Sequence, residues 1–234
     1  MKTSVLIIAH NEEKYIEKCI QSILDQTQKA DEIVLIAHNC TDKTIEIAKN
    51  FLINIIPFNG ESGIVNARIK GLENVSGDMI LCIDGDSFAK NNWVEIMTKT
   101  LETNNNILVG SWVKFQGILF WRVFNISDKY LCVSKNTRAT MWIWGPSFAF
   151  YDKDKNFVKE ILQKSVLLSQ ELKLSRIVED YWLALFMNKR GNIEVTNKTW
   201  VTMNLKETSI IKVILRNIEN ARNGLKMKKY FNLL

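Results

Sequence analysis

Four short apolar runs, each followed by a stretch with helical spacing, fill the first hundred residues of the chain. "SVLIIA" (4–9), "DEIVLIA" (31–37), "INIIPF" (53–58) and "MILCI" (79–83) are rich in β-branched and apolar residues and read as strands. Between them, "NEEKYIEKCIQSILDQ" (11–26) places Tyr15, Ile16, Cys19, Ile20, Ile23 and Leu24 on one helical face, with acids in its first turn. "CTDKTIEIAKNF" (40–51) and "ESGIVNARIKGLENV" (61–75) read as the next two helices, and a fourth is expected from Asn92 to about Glu102. Strands and helices alternating at this spacing predict βαβ units: an α/β chain with a mostly parallel sheet and helices on both faces.

Such sheets take their ligands outside the carboxyl ends of the strands. That rule draws attention to Asp84-Gly85-Asp86, which directly follows the buried run 79–83. The plain reading of that tripeptide is a solvated Asp-Gly turn; its place at a strand end favours a site. The loops after the first two strands are also polar, carrying His10-Asn11-Glu12 and His38-Asn39-Cys40-Thr41-Asp42. Neither G-x-G-x-x-G nor G-x-x-x-x-G-K-[ST] occurs. A diphosphate bound here therefore needs a cation, and two aspartates suit the hard ions Mg2+ and Mn2+.

The second half is less regular. Residues 107–126 are dense in aromatics (Trp112, Phe115, Phe120, Trp121, Phe124), suiting core, an acceptor groove or a shallow membrane contact. "SRIVEDYWLALFMNKRGN" (175–192) reads as a helix stopped by Gly191, and "IEVTNKTWVTM" (193–203) as a hairpin turning at Asn197-Lys198. The net charge of +6 is concentrated in the tail, where Lys206, Lys212, Arg216, Arg222, Lys226, Lys228 and Lys229 face only Glu207 and Glu219. That balance suits nucleic acid, an anionic membrane face or a phosphate-bearing substrate, but no nucleic-acid-binding motif accompanies it. Cys19, Cys40, Cys82 and Cys132 show no metal-ligand spacing, and two histidines cannot build a His-based zinc site. The cysteine usage suits a reducing, cytoplasmic setting. The opening residues predict no leader, and no apolar run approaches the ~18 residues of a membrane span.

Five pieces carry a resemblance: "SVLIIAHNEEKYIEKCIQSILDQT", "DEIVLIAHNCTDKTIEIAK", "NARIKGLENVSGDMILCIDGDS", "GPSFAFYDK" and "VEDYWLALFMNKRG", in order over roughly residues 3–191. With them the chain resembles the family 2 glycosyltransferases of GT-A fold. The resemblance implies an inverting, metal-assisted transfer from a UDP- or GDP-sugar to a hydroxyl on a glycan or lipid-linked intermediate. It implies a catalytic domain over 1–204, with a nucleotide-sugar half (1–104) and an acceptor half (105–204), and a basic helical extension over 205–234. Asp84-Gly85-Asp86 looks like the family's D-x-D: Asp86 would ligate Mn2+ or Mg2+, with Asp84 supporting the metal and contacting the sugar or ribose. Glu179-Asp180 looks like its E-D pair: Asp180 would be the general base and Glu179 would position it or the acceptor. Ala9, Asn11, Glu12, His38, Asp42, Arg68 and Gly85 match donor-binding positions, Arg68 approaching base or phosphate.

Each of these residues also has a plain reading. Glu12 and Glu179-Asp180 would be first-turn helix acids, Asp42 a cap, Arg68 one half of a surface salt bridge and His38 an exposed loop histidine. The chain departs from the family where relatives carry an Asp at the second strand's tip: here it reads Ala37-His38, which leaves the nucleotide base open. The Q-x-x-R-W motif of processive synthases is absent, and Arg222 is a candidate for its phosphate-binding arginine. A sugar nucleotidyltransferase would need a glycine-rich, basic N-terminal loop where "IIAHNEE" stands. A silent relative that only binds a nucleotide sugar or a partner remains the alternative.

Overall fold

The computed structural model describes residues 1–116, 145–175, 177–204, 219, 222–227 and 229–231. Phe120, Trp121, Phe124, Cys132 and the basic residues Lys206, Lys212, Arg216 and Lys228 lie outside the described residues.

Eight strands form one sheet in the order β3-β2-β1-β4-β7-β6-β8-β5. β1 (Thr3–Ala9), β2 (Glu32–His38), β3 (Asn54–Phe58) and β4 (Met79–Asp84) pair in parallel, as the alternation predicts. β7 (Ser147–Tyr151) runs antiparallel between β4 and β6 (Asn106–Gln116). β8 (Asn192–Asn204) lies parallel to β6, and the short β5 (Ser87–Ala89) closes the order antiparallel to β8.

Every residue of β1 is buried because helices cover both faces of the sheet. The pleat divides the strand residues between two cores. Leu6, Ile8, Val34, Ile36, Ile80 and Cys82 face α3 (Ile64–Leu72), α5 (Lys155–Glu171) and α6 (Glu179–Asn188). Val5, Ile7, Leu35, Leu81 and Ile83 face α1 (Ile16–Leu24) and α4 (Trp93–Glu102). The second helix of the first half, α2 (Thr44–Ala48), is only five residues long. Cys19 and Cys82 are buried free thiols, as their apolar surroundings suggest. Helical residues 222–227 and 229–231 pack back onto this body, with Met227 buried and Asn223 bonded to Ser175 at 2.9 Å.

The expected hairpin over 193–203 does not form. β8 is one strand whose register against β6 jumps from Ser111–Thr196 to Trp112–Trp200. Asn197 and Lys198 thus mark a bulge: the same local turn chemistry is absorbed within a strand that has a partner on either side of the kink. α3 begins at Ile64, later than the pattern from 61 suggests, and α5 is an addition whose buried Val158, Ile161, Leu162 and Ser165 follow helical spacing.

Glu32 ties the amino end of this sheet together. Its carboxylate accepts hydrogen bonds from the Ser4 hydroxyl, the Ser76 N–H at 2.8 Å and the Ser76 hydroxyl at 3.2 Å. Burial alone would raise its pKa, but these bonds outweigh burial and lower it from the ordinary 4.5. A folded pKa below the unfolded one contributes stability above the unfolded value, and that contribution is lost as pH falls through the folded value. Glu32→Gln should therefore cost about 1 kcal/mol at pH 7 and little at pH 3, compared by denaturant titration at both pH values.

Candidate active site

The carboxyl ends of β1, β2 and β4 open into a cavity of about 310 Å³. Ile8, His10 and Glu12 line it from β1, His38 and Asn39 from β2, and Asp84, Gly85 and Asp86 from β4. Ser62, Gly63, Ile64 and Ala67 close it from the start of α3. His10, Asn39 and the Ser62-Gly63 wall have no role in the family match. The Ser-Gly pair ahead of an apolar helix is the signal that points to them, since Gly63 takes φ 126, a region that L side chains avoid.

Gly85 sets the D-G-D loop against β1. Its N–H bonds to Ile8 O at 2.8 Å, and a Cβ there would lie 2.9 Å from Ala9 Cβ and 3.2 Å from Ile8 O. Ala9 thus forms the floor under the loop, outside the cavity lining. Cys19 supports the same loop from below, its thiol 3.6 Å from Asp84 O. Gly85→Ala should cost about 1–3 kcal/mol through this crowding and lower Tm in a thermal melt.

His38 is not an exposed loop residue. It ends β2 at 5% exposure, stacks on Phe58 with ring centroids 5.2 Å apart, and places Nε2 3.0 Å from Glu61 O. Its carbonyl lies 2.7 Å from His10 Nδ1. Strand pairing with β3 brings Phe58 beside it, a contact with no local signature.

Asn11 and Asp42 lie off the cavity lining and lace two loops together. Asn11, at φ 55, accepts the Thr41 N–H at 2.8 Å. Asp42 accepts from Glu13 N–H and Thr44 N–H, each at 3.0 Å, and from the Thr44 hydroxyl. Burial would raise the Asp42 pKa, and these bonds bring it below the ordinary value. Asp42 therefore has a cap-like role. Glu12 precedes α1, and its carbonyl accepts from Tyr15 and Ile16 N–H; its own N–H donates to Thr44 Oγ1 at 2.7 Å.

Arg68 is placed neither at the cavity wall nor on the surface. It is 2% exposed on α3, ion-paired to Glu179 and, at 3.2 Å, to Asp84. Its Nη2 also donates to Gly145 O at 2.9 Å. Burial alone would ease its deprotonation; Glu179 and Asp84 outweigh that and hold it charged. Burial pushes the Asp84 carboxyl up to about 6, with Arg68 opposing and Asp86 and Glu179 adding to the rise. On the far side, the Gly145 N–H donates to Asp180 Oδ2 at 3.0 Å, and Tyr181 N–H to Asp180 Oδ1 at 2.8 Å. Arg68 and Gly145 thus join the D-G-D loop to the Glu179-Asp180 pair at the start of α6. Arg222, the remaining candidate, is exposed.

The donor set fits a hard divalent cation in part. Asp84 and Asp86 bring carboxylates to one cavity wall, and Gly85 lets the loop approach closely. Asp84 Oδ1 is engaged by Arg68 at 3.2 Å, and Asp86 Oδ1 accepts from the Ser87 hydroxyl at 3.3 Å. Among the described residues no three His, Cys, Asp or Glu side chains form a ready-made metal cage, so the remaining ligands would come from a bound diphosphate.

Residues 4–160 match the model of glycosyl transferase family 2. The glycosyltransferase GlyA of Streptococcus pneumoniae is 32% identical over 137 residues, covering 55% of this chain and 19% of GlyA. A glycosyltransferase of Haemophilus influenzae is 36% identical over 117 residues, covering 47% of this chain and 36% of that protein. The chain therefore spans only part of the curated relatives' length. Among solved structures, S. aureus TarS 1–349 with UDP-GlcNAc superposes with TM-score 0.64 at 16% identity, covering 91% of this chain and 61% of that one. The mannosyltransferase PcManGT of Pyrobaculum calidifontis, with GDP-Man and Mn2+, gives 0.65 at 15% identity, covering 92% and 60%. These likenesses establish the GT-A fold, and the match over residues 4–160 places the chain in glycosyl transferase family 2.

Proposed function

We propose that the chain transfers one sugar, with inversion, from a nucleoside-diphosphate sugar to a hydroxyl acceptor. The observation that carries this reading is the link through Arg68 between Asp84 of one acid pair and Glu179 of the other. That link supports a reading in which one acid pair serves the donor and the other supplies the base.

In this reading the cavity at the tips of β1, β2 and β4 holds the nucleoside and diphosphate. Asp86 is the cation ligand, supported by Asp84. When bound, Mn2+ or Mg2+ neutralises the charge that develops on the departing diphosphate. Asp180 accepts the proton of the attacking hydroxyl from the face opposite the leaving group. Glu179, fixed by Arg68, holds the start of α6 and hence Asp180 in place. Solved neighbours of the same fold carry UDP-GlcNAc in one case and GDP-Man with Mn2+ in another, which supports a nucleotide-sugar donor and a divalent cation and leaves both bases open.

The acceptor is a glycan or lipid-linked intermediate, met on the cytoplasmic side with peripheral membrane contact through the basic tail. Among the described residues no helix is long and apolar enough to cross a membrane.

Calorimetric titration with UDP and GDP, each with and without Mn2+, tests the donor site. One nucleotide should bind at least tenfold tighter with Mn2+, and Asp86→Ala should abolish that increment. Metal-independent binding unchanged by the substitution would remove Asp86 from the site.

A further inference from the structure

Beyond the donor cavity, β5, β8 and β6 present a cationic cluster. Phe88, Thr202 and Lys114 lie in one cross-strand row, and Trp200 pairs with Trp112 two residues along. Lys90 joins that second row through its N–H, 3.0 Å from Trp200 O. The row between them, Ala89, Val201 and Val113, packs into the core under α1 and α4. The pleat therefore turns the cluster to the opposite face, the one on which α6 and its Glu179-Asp180 pair lie.

Two ammonium groups crowd one indole. Lys114 Nζ is 3.2 Å and Lys90 Nζ 4.3 Å from the Trp200 ring centroid. At the sheet edge, Lys18 Nζ of α1 lies 3.8 Å from the Phe88 centroid. Among the described residues, no carboxylate pairs with Lys90 or Lys114. Burial, and then the charge of Lys90, hold the Lys114 pKa below its ordinary value. In the same row as Trp200, the Trp112 Nε1–H is buried with no hydrogen-bond acceptor among the described residues. Ring faces attract cations but leave their mutual repulsion and the orphan N–H unanswered. An anion would answer both.

We propose that Lys90, Lys114 and the Trp112 Nε1–H form a subsite for a phosphate group carried by the acceptor. The assignment rests on the glycosyl-transfer reading for the word acceptor, but the anion site itself does not. Donors of two ammonium groups and one indole suit a tetrahedral phosphate. None of these residues lines the donor cavity. β5 starts at Ser87, directly after Asp86, so the cluster adjoins the D-G-D loop along the chain.

The test uses the full chain with 15N-labelled indoles, the Trp112 resonance being identified by its loss in Trp112→Phe. Inorganic phosphate at fixed ionic strength should shift that resonance saturably, and acetate should not. Lys90→Met/Lys114→Met should weaken phosphate binding at least tenfold, and Lys114→Met alone should weaken it measurably. UDP and GDP affinity with Mn2+ should be unchanged in the double variant. Glycerol 3-phosphate and vesicles of phosphatidylglycerol in phosphatidylcholine then separate the sources. A response to the first alone assigns a soluble phosphorylated acceptor; lysine-dependent pelleting with the second assigns a lipid phosphate. The proposal is overturned by no saturable shift, by a shift that survives loss of both lysines, or by an equal response to acetate. Weakened nucleotide binding in the double variant would give the cluster to the donor and overturn it too. If no nucleotide binds the wild-type chain while the phosphate shift persists, the glycosyl-transfer reading fails and the anion site stands.

Discussion

Asp180→Asn should lower turnover by about 10²–10⁴-fold, the usual contribution of a positioned general base, with donor affinity unchanged. Asp180 Oδ2 and Oδ1 each accept one backbone N–H, from Gly145 and Tyr181. Asparagine keeps the shape and one accepting oxygen but has no basicity to offer. Its amide nitrogen must meet one of the two N–H donors, at a cost of about 1–3 kcal/mol in stability. A thermal melt measures that cost apart from the rate. Steady-state kinetics at saturating donor, with nucleotide titration alongside, distinguish a lost base from a lost binding contact. An asparagine variant that turns over at the wild-type rate would return Asp180 to the role of a helix-start acid.

The parts of the fold legible in sequence are those whose signal is local and repeated. β1 and β4 read as buried strands because every residue between their polar ends is apolar or small. The D-G-D loop is legible for the same reason: a strand end is where a parallel sheet presents its loops. Long-range pairing erased other signals. Asn197-Lys198 carries turn chemistry, yet β6 on one side and β5 on the other hold 192–204 in a single kinked strand. His38 sits in a polar run, yet Phe58 and Glu61, supplied by β3 and the following loop, bury it. The position match for Arg68 says that an arginine belongs on this helix, but not which acids it meets. Its partners lie 16 and 111 residues away along the chain.

Those distant partners make Arg68 the residue whose loss should cost most in stability. Arg68→Met leaves Glu179, with a side chain 9% exposed, without its ion pair, and strips Asp84 and Gly145 O of a donor. It also removes the guanidinium 5.4 Å from the Phe148 ring. Breaking a buried pair from one side costs about 3–5 kcal/mol, because the remaining charge stays buried. For a chain of this size that corresponds to a fall in Tm on the order of 10 °C. Arg68→Lys keeps the charge but lacks the planar fork that reaches two carboxylates and a carbonyl together, so it should recover only part of the loss. The decisive comparison is Arg68→Met/Glu179→Gln. If the cost comes from the orphaned Glu179, neutralising it should restore a substantial share of the stability lost, while activity stays low because α6 no longer holds Asp180 against Gly145. A single Arg68→Met variant melting within a degree or two of wild type would show that the link between the two acid pairs contributes little to holding the site together.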